Sequence, residues 1–206
     1  MTEASRDWDH LYAQGDTGWD LREVTPALQT LLGSGFLARL PLTAGCRVAV
    51  PGCGLGHDLR AFAQHGCQVT GFDISPLACA QARTLLALNG VAAAVVCRDL
   101  FGLLPEFAGC FDLVYDYTCF CAIPRHLRAA YGRIVHGLLV PRGHLLVLAY
   151  PMLPERAGQG GPPYLVTEPD LHLAFDAGFT LVESFAPQDS VPRRAAAERW
   201  YRWQRR

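Results

Sequence analysis

Three glycines, Gly52, Gly54 and Gly56, stand in the stretch VPGCGLGHD, directly after the apolar run CRVAV at 46–50. A strand that ends in a glycine turn and leads into a helix presents unpaired backbone N–H groups, and oxygen-bearing ligands can approach them closely. Dinucleotides, phosphates and S-adenosylmethionine all satisfy that description. A dinucleotide fingerprint of the form G-x-G-x-x-G needs a third glycine where His57 stands, and Gly56 comes one residue early. Asp73, with Ile74 beside it, closes the next β-rich run 21 residues after Gly52. An acid at that strand end can accept both hydroxyls of a ribose and repels a 2′-phosphate. The third β-rich run leads into CRDLF, where Asp99 can accept an adenine amino group while Leu100 or Phe101 packs on the ring. The plain alternative for Asp99 is a turn aspartate after a strand. Taken together, three successive strand ends line one crevice at the carboxyl edge of a sheet, and a ribose-bearing ligand of open identity follows.

The elements that must position these residues are legible as a rhythm. Short β-rich runs at 46–51, 67–72, 92–97, 110–116, 143–150 and 179–185 alternate, through the first five, with helical stretches. That alternation predicts βαβ units around a parallel sheet, a Rossmann-like α/β fold with helices on both faces. Ser75 and Pro76 predict a helix start, and Asn89 with Gly90 its end. Residues 124–138 place Leu127, Tyr131, Ile134, Val135 and Leu138 on one helical face, and 26–40 reads as one short covering helix. A turn-rich segment without a helix joins 179–185 to a last strand at 196–203, which predicts an antiparallel hairpin at the sheet edge. The expected organisation is one domain over 1–206, with 1–45 as an N-terminal cap and 46–206 as the core.

Composition narrows the function classes. Half of the 206 residues are hydrophobic and 18% are charged, so disorder is excluded and a substantial core is affordable. The net charge is −1, which argues against nucleic acid or an anionic membrane as the partner. All 18 basic residues are arginine, which removes a Schiff-base lysine and a Walker-type phosphate lysine. No secretory leader and no window of 18 apolar residues free of charge or proline is present, so a cytoplasmic location is expected. The eight cysteines contain no C-x-x-C pair, which makes reduced, buried thiols the expectation and a structural metal an unsupported one. His57 lies near the glycine turn; the other histidines are scattered and read as surface or strand-end residues.

The stretches VPGCGLGHD, GFDIS, DLF, FDLVYDYTCFCAIP, GHLLVLAYPM and GGPPY, with GDTGWDLREVTPAL before them, form an ordered set. It resembles the thiopurine S-methyltransferase family of class I S-adenosylmethionine-dependent methyltransferases, and the branch of bacterial members and plant halide and thiol methyltransferases in particular. The resemblance spans Trp8 to about Trp203. It implies a mostly parallel seven-stranded sheet with an antiparallel last strand, S-adenosylmethionine as cofactor and S-adenosylhomocysteine as product. It also implies that the 52–56 turn faces methionine and ribose, that Asp73 and Ile74 face the ribose, and that Asp99, Leu100 and Phe101 face the adenine. Asp116 and Tyr117 would border the methyl group, and Trp8, Tyr12 and Trp19 would close over the cofactor. At Tyr12 the plant branch has tryptophan.

Methyl transfer from a sulfonium to an anion neutralises charge in the transition state, so desolvating walls help. An acceptor of this kind needs a cation or a hydrogen-bond donor to attract it and, for a thiol, to lower its pKa. The resemblance places Arg128 in that role, with Tyr164 of GGPPY as a second donor; the plain alternatives are a solvent-facing arginine and a loop anchor. The expected reaction is methylation of a small soft nucleophile, a thiol or thiopurine sulfur, with halide, thiocyanate, selenium and tellurium species open. The partner is a small-molecule acceptor, and a monomer is expected. A nucleic-acid methyltransferase would carry an N-P-P-Y-type stretch where this chain has DYTC, and an NAD oxidoreductase would need a third fingerprint glycine and a substrate domain. A noncatalytic binding protein of this fold would not need the glycine turn, Asp73 and the aromatic cover together.

Overall fold

The structure is a computed structural model that describes residues 7–40 and 45–206; residues 1–6 and 41–44 of the expected cap lie outside the described residues. Seven strands, β1 (Arg47–Pro51), β2 (Gln68–Asp73), β3 (Ala94–Cys97), β4 (Phe111–Tyr117), β5 (Leu139–Ala149), β6 (Phe179–Phe185) and β7 (Arg199–Arg205), form one sheet in the order β3-β2-β1-β4-β5-β7-β6. β7 alone runs antiparallel to its neighbours, pairing with β5 on one side and β6 on the other. The hairpin expected at the edge is therefore inserted, with β7 inside and β6 outermost.

Helices cover both faces, as period-two burial requires. On one face Val48, Val50, Leu113, Tyr115, Leu146 and Leu148 meet helices α2 (Pro26–Gly33), α3 (Phe36–Arg39), α4 (His57–Gln64) and α5 (Pro76–Leu88). On the other, Ala49, Val114, Leu145 and Val147 meet α6 (Arg128–Leu138) and α7 (Glu168–Phe175). Helix α1 (Trp8–Gln14) sits against the start of α5, where Asp9 accepts from Ser75 Oγ at 2.6 Å and Leu77 N at 2.9 Å.

Several boundaries differ from the sequence-based expectation for identifiable reasons. The expected helix over 26–40 is two helices, broken at Gly35, whose φ of 75° starts a new turn. The helix expected from 124 begins at Arg128, after a 3₁₀ turn, Arg125–Leu127, set off by Pro124. Strand β5 begins at Leu139, upstream of 143, because a register shift opposite Phe111 and Leu113 takes up the extra residues. Residues 195–197 form a 3₁₀ turn, so the last strand starts at Arg199. Helix α7 was not anticipated, although Thr167 and Asp170 form a complete capping box. Five cysteines are buried, Cys53 and Cys110 are half-buried and Cys97 is exposed, with all eight as free thiols. His144 is buried on β5.

Helices α6 and α7 pack so closely at Gly132 that a Cβ there would overlap the Ala174 carbonyl. Gly132→Ala is expected to lower stability by roughly 1–3 kcal/mol through overpacking. A denaturant midpoint equal to that of the native protein would refute this close approach.

Candidate active site

The carboxyl ends of β1, β2, β3 and β4 meet at one edge, at the switch point where chain order reverses between β1 and β4. Gly52, Gly54 and Gly56 follow β1 with φ values of 59°, 51° and 83°, a conformation that side chains other than glycine rarely adopt. Space is as restrictive as φ. A Cβ on Gly52 would stand 3.0 Å from Cys119 Sγ, and one on Gly54 would stand 2.9 Å from Tyr12 Oη. Gly56 ends the turn as the N-cap of α4.

Asp73 closes β2 and is tied to that turn. Its Oδ2 accepts from Gly54 N at 2.8 Å and its Oδ1 from Ser75 N at 3.0 Å. Burial pushes its carboxyl above the usual range, and the N–H donors of Ser75, Gly54 and Ile74 pull it back. Next to it Ile74 is 51% exposed, an uncovered apolar side chain at the sheet edge. Asp99 is exposed and accepts from Phe101 N at 2.9 Å, opening the 3₁₀ turn Leu100–Gly102. Leu100 and Phe101 are half-buried.

The aromatic residues of the N-terminal segment lie over the turn. Tyr12 is buried and accepts from Trp19 Nε1 at 3.3 Å, and Trp19 meets Trp8 and Tyr12 edge-on with ring centroids 5.2 and 5.6 Å away. A cleft of about 70 Å³ runs beneath them, bounded by Tyr12, Trp19, Gly52, Gly54, Tyr117 and Thr118. The segment is anchored again at Thr25, whose N–H and hydroxyl both donate to Asp58 at 2.9 Å, while Tyr115 Oη donates to the same carboxylate at 3.0 Å.

Asp116 and Tyr117 point to opposite faces, as neighbours in a strand must. Asp116 accepts from Phe120 N at 3.1 Å and from the Tyr131 hydroxyl, and burial pushes its carboxyl up to about 6. Tyr117 faces the cleft. Its hydroxyl donates to Glu198 Oε1 at 2.5 Å and accepts from Arg194 Nη1 at 2.5 Å. Burial, then the Glu198 charge, raises its pKa, and Arg194 opposes them.

Arg128 is buried rather than solvent-facing. Its guanidinium pairs with Asp170 Oδ2 at 3.1 Å, donates to the Leu165 carbonyl at 3.1 and 3.2 Å, and lies 4.6 Å over the Phe120 ring. Tyr164, the neighbour of Leu165, donates its backbone N–H to the Cys121 carbonyl at 2.7 Å. Arg128 and Arg194 both act on Cys121, lowering a thiol that burial and Asp116 push up to about 12. Cys121 thus lies under the influence of both arginines and is tied to the Tyr164 backbone, while Tyr117 is in direct contact with Arg194.

Sequence reasoning assigned no role to Asp58, Arg194 or Glu198. Asp58 stood in plain sight in the glycine stretch, as an acid in the first turn of α4. Arg194 and Glu198 lie in the turn-rich connection before β7, where no local pattern marks a functional residue. Arg194 is 2% exposed, donates to the Trp19 carbonyl at 2.8 Å and lies over the rings of Tyr117 and Tyr150 at 5.5 and 4.8 Å. Among the described residues no group of three or more His, Cys, Asp or Glu side chains is placed to hold a metal.

The glycine turn that a Cβ would fill, the acid closing β2 and the exposed apolar side chain beside it fit a nucleoside carrying an amino-acid tail. A sheet in this order with such a site defines a class I S-adenosylmethionine-dependent methyltransferase. Within that class, the chain belongs to the thiopurine S-methyltransferase family, whose model matches residues 3–206. It is 33% identical to thiocyanate methyltransferase 1 of Arabidopsis thaliana, covering 96% of this chain and 84% of that protein. It is 29% identical to the thiopurine S-methyltransferase of Gluconobacter oxydans, covering 92% and 90%. Among solved structures it superposes on the Burkholderia thailandensis 1,6-didemethyltoxoflavin-N1-methyltransferase, which holds S-adenosylhomocysteine, with a TM-score of 0.70, 21% identity and coverage of 95% and 84%. S-adenosylmethionine is the cofactor.

Asp73→Ala is expected to weaken S-adenosylmethionine binding at least about tenfold, because it removes the acceptor at the β2 end and releases Gly54 N. Calorimetry giving an unchanged dissociation constant would remove Asp73 from the site. Gly54→Ala is expected to weaken binding as well, since φ and the Tyr12 hydroxyl both oppose a side chain. Unaltered affinity in that variant would show that the turn does not face the cofactor.

Proposed function

We propose that the protein transfers the methyl group of S-adenosylmethionine to a small soft nucleophile, a thiol or thiopurine sulfur, and that Tyr117, Arg194, Arg128 and Tyr164 surround the acceptor. The observation that carries this reading is the Tyr117 hydroxyl. Tyr117 lines the cleft beside the glycine turn, and its hydroxyl is polarised by a buried arginine.

When bound, S-adenosylmethionine supplies an electrophilic methyl carbon on a positively charged sulfur. Asp73, the 52–56 turn and Ile74 hold its ribose and methionine parts, and Asp99 with Leu100 and Phe101 take the adenine. Trp8, Tyr12 and Trp19 cover it and exclude water, which strengthens every charge interaction in the cleft. The residues before 46 act as a cap in this reading. Arg194 attracts the anionic acceptor; among the described residues no carboxylate lies within ion-pair distance of it. The charge of Arg128 is largely offset by Asp170, so its main contribution is to fix the Leu165 carbonyl, and with it Tyr164, at the acceptor side. Asp116, bonded to Tyr131, supports the end of β4 from the opposite face and borders the methyl position through its backbone.

The names of the relatives support sulfur and thiocyanate acceptors, among them a probable thiol methyltransferase 2 from Arabidopsis thaliana at 32% identity over 98% of this chain and 86% of that protein. The near-neutral charge supports a small-molecule partner over nucleic acid or membrane, and eight free thiols support a reducing, cytoplasmic compartment. No helix among the described residues is long and apolar enough to cross a membrane.

Labelled S-adenosylmethionine offered with aryl thiols, 6-mercaptopurine, sulfide, iodide and thiocyanate should label the sulfur compounds. Cofactor binding without transfer to any of them would overturn the acceptor class. Arg194→Ala should lower kcat/KM for the acceptor about ten- to hundredfold, the size of a lost hydrogen bond to a charged group. A value equal to that of the native enzyme would take Arg194 out of the acceptor site.

A further inference from the structure

We propose that Glu198 is the terminal proton acceptor of the reaction, taking the proton of a neutral thiol through the Tyr117 hydroxyl. The inference rests on the acceptor reading above and deepens it. Glu198 is 7% exposed, and its Oε1 is hydrogen-bonded to Tyr117 Oη, which donates the proton. A buried carboxylate is costly unless something uses or neutralises it. The only cation within two hydrogen bonds of Glu198 among the described residues is Arg194, and it reaches Glu198 only through the same phenol. The phenol oxygen therefore donates to a carboxylate, accepts from a guanidinium and keeps one lone pair directed to neither. That lone pair can accept an S–H from a molecule in the cleft that Tyr117 borders.

The step balances without a further reactant. The thiol sulfur gives an electron pair to the methyl carbon, and the carbon–sulfur bond of the donor breaks with its pair retained on the departing neutral thioether. The thiol proton passes to Tyr117 Oη as the tyrosine proton passes to Glu198 Oε1. Arg194 stabilises the negative charge that builds on the phenol oxygen during the relay. After product departure, the same path returns the proton to water in the emptied cleft. Tyr117 is then the group that touches substrate, and Glu198 is a positioning residue that acts through it.

An acceptor already ionised has no proton to lose, so a series of aryl thiols with ring substituents that carry them from ionised to protonated at neutral pH separates this role from a structural one. In Glu198→Gln, which preserves shape, turnover of the most protonated thiols should fall about a hundredfold, the range of general base catalysis. The loss should shrink progressively towards the ionised members. Glu198→Asp should recover part of the dependence, and Tyr117→Phe should reproduce the pattern of Glu198→Gln. S-adenosylmethionine affinity, measured alongside, reports whether each variant is folded. A loss uniform across the series, or none, would overturn the relay, as would a Tyr117→Phe enzyme whose dependence on thiol ionisation matches the native one. Cofactor binding without methylation of any thiol by the native enzyme would instead overturn the acceptor reading, and the relay with it.

Discussion

The hydrogen bond from Gly54 N to Asp73 Oδ2 is the constraint around which the site is built. It joins the turn after β1 to the end of β2, so that the two strand ends present one surface. A second bond, Cys53 N to the Phe72 carbonyl at 3.0 Å, continues the parallel pairing of β1 and β2 one step beyond Pro51. Positive φ at three glycines is what lets the chain turn out of the sheet and still leave those bonds intact. The cost of ordering three glycines is entropic, and the buried sheet beneath them offsets it. Because Asp73 is held by Gly54 and Ser75 before any ligand arrives, its carboxylate is oriented in advance, which reduces the ordering that binding must bring about.

Two segments far apart in sequence depend on that platform. The N-terminal segment is fixed at Asp9 to the start of α5, at Tyr12 over Gly54 and at Thr25 to Asp58. The connection between β6 and β7 reaches the same segment from the other side. Asp189 accepts from Thr30, Arg193 donates to the Gly18 carbonyl and Arg194 to the Trp19 carbonyl. Insertion of the antiparallel β7 between β5 and β6 makes this convergence possible, because it brings the start of β7, with Glu198, to the same edge as the ends of β4 and β5. A parallel strand in that place would start at the opposite edge and deliver neither Glu198 nor Arg194.

The parts of the molecule that obey a local rule were legible in the sequence. Strands with both faces buried read as apolar runs, Ser75 and Pro76 read as a helix start, and the glycine turn and Asp73 read as two strand ends lining one crevice, which the Gly54–Asp73 bond joins. Boundaries governed by non-local pairing were not. The early start of β5 depends on its register against β4, and the position of β7 depends on two partners. Arg128 illustrates the same limit within the site. Its helix position marked it as a candidate cation, but whether its charge is available depends on Asp170, which belongs to a capping box on another helix. Arg194 and Glu198 lie in an irregular stretch, and only the fold places them against Tyr117.

The contrast between the two arginines is a matter of what compensates each charge. Burial lowers the pKa of Arg128, and Asp170 at 3.1 Å restores the charged form, so the pair is locally near neutral. Its orientation is then set by the Leu165 carbonyl and the face of Phe120, which makes it a rigid strut between α6 and the loop that carries Tyr164. Arg194 has a phenol, a backbone carbonyl and two aromatic faces in place of a carboxylate. Those groups orient the guanidinium, and its nearest carboxylate, Glu198, stands one phenol oxygen away, so its charge is offset less directly than that of Arg128. A transition state that discharges an anion against a sulfonium needs an attraction that brings the anion in and does not trap it there. A cation separated from its carboxylate by a phenol suits that requirement better than one paired directly, which is the ground for the acceptor role proposed for Arg194.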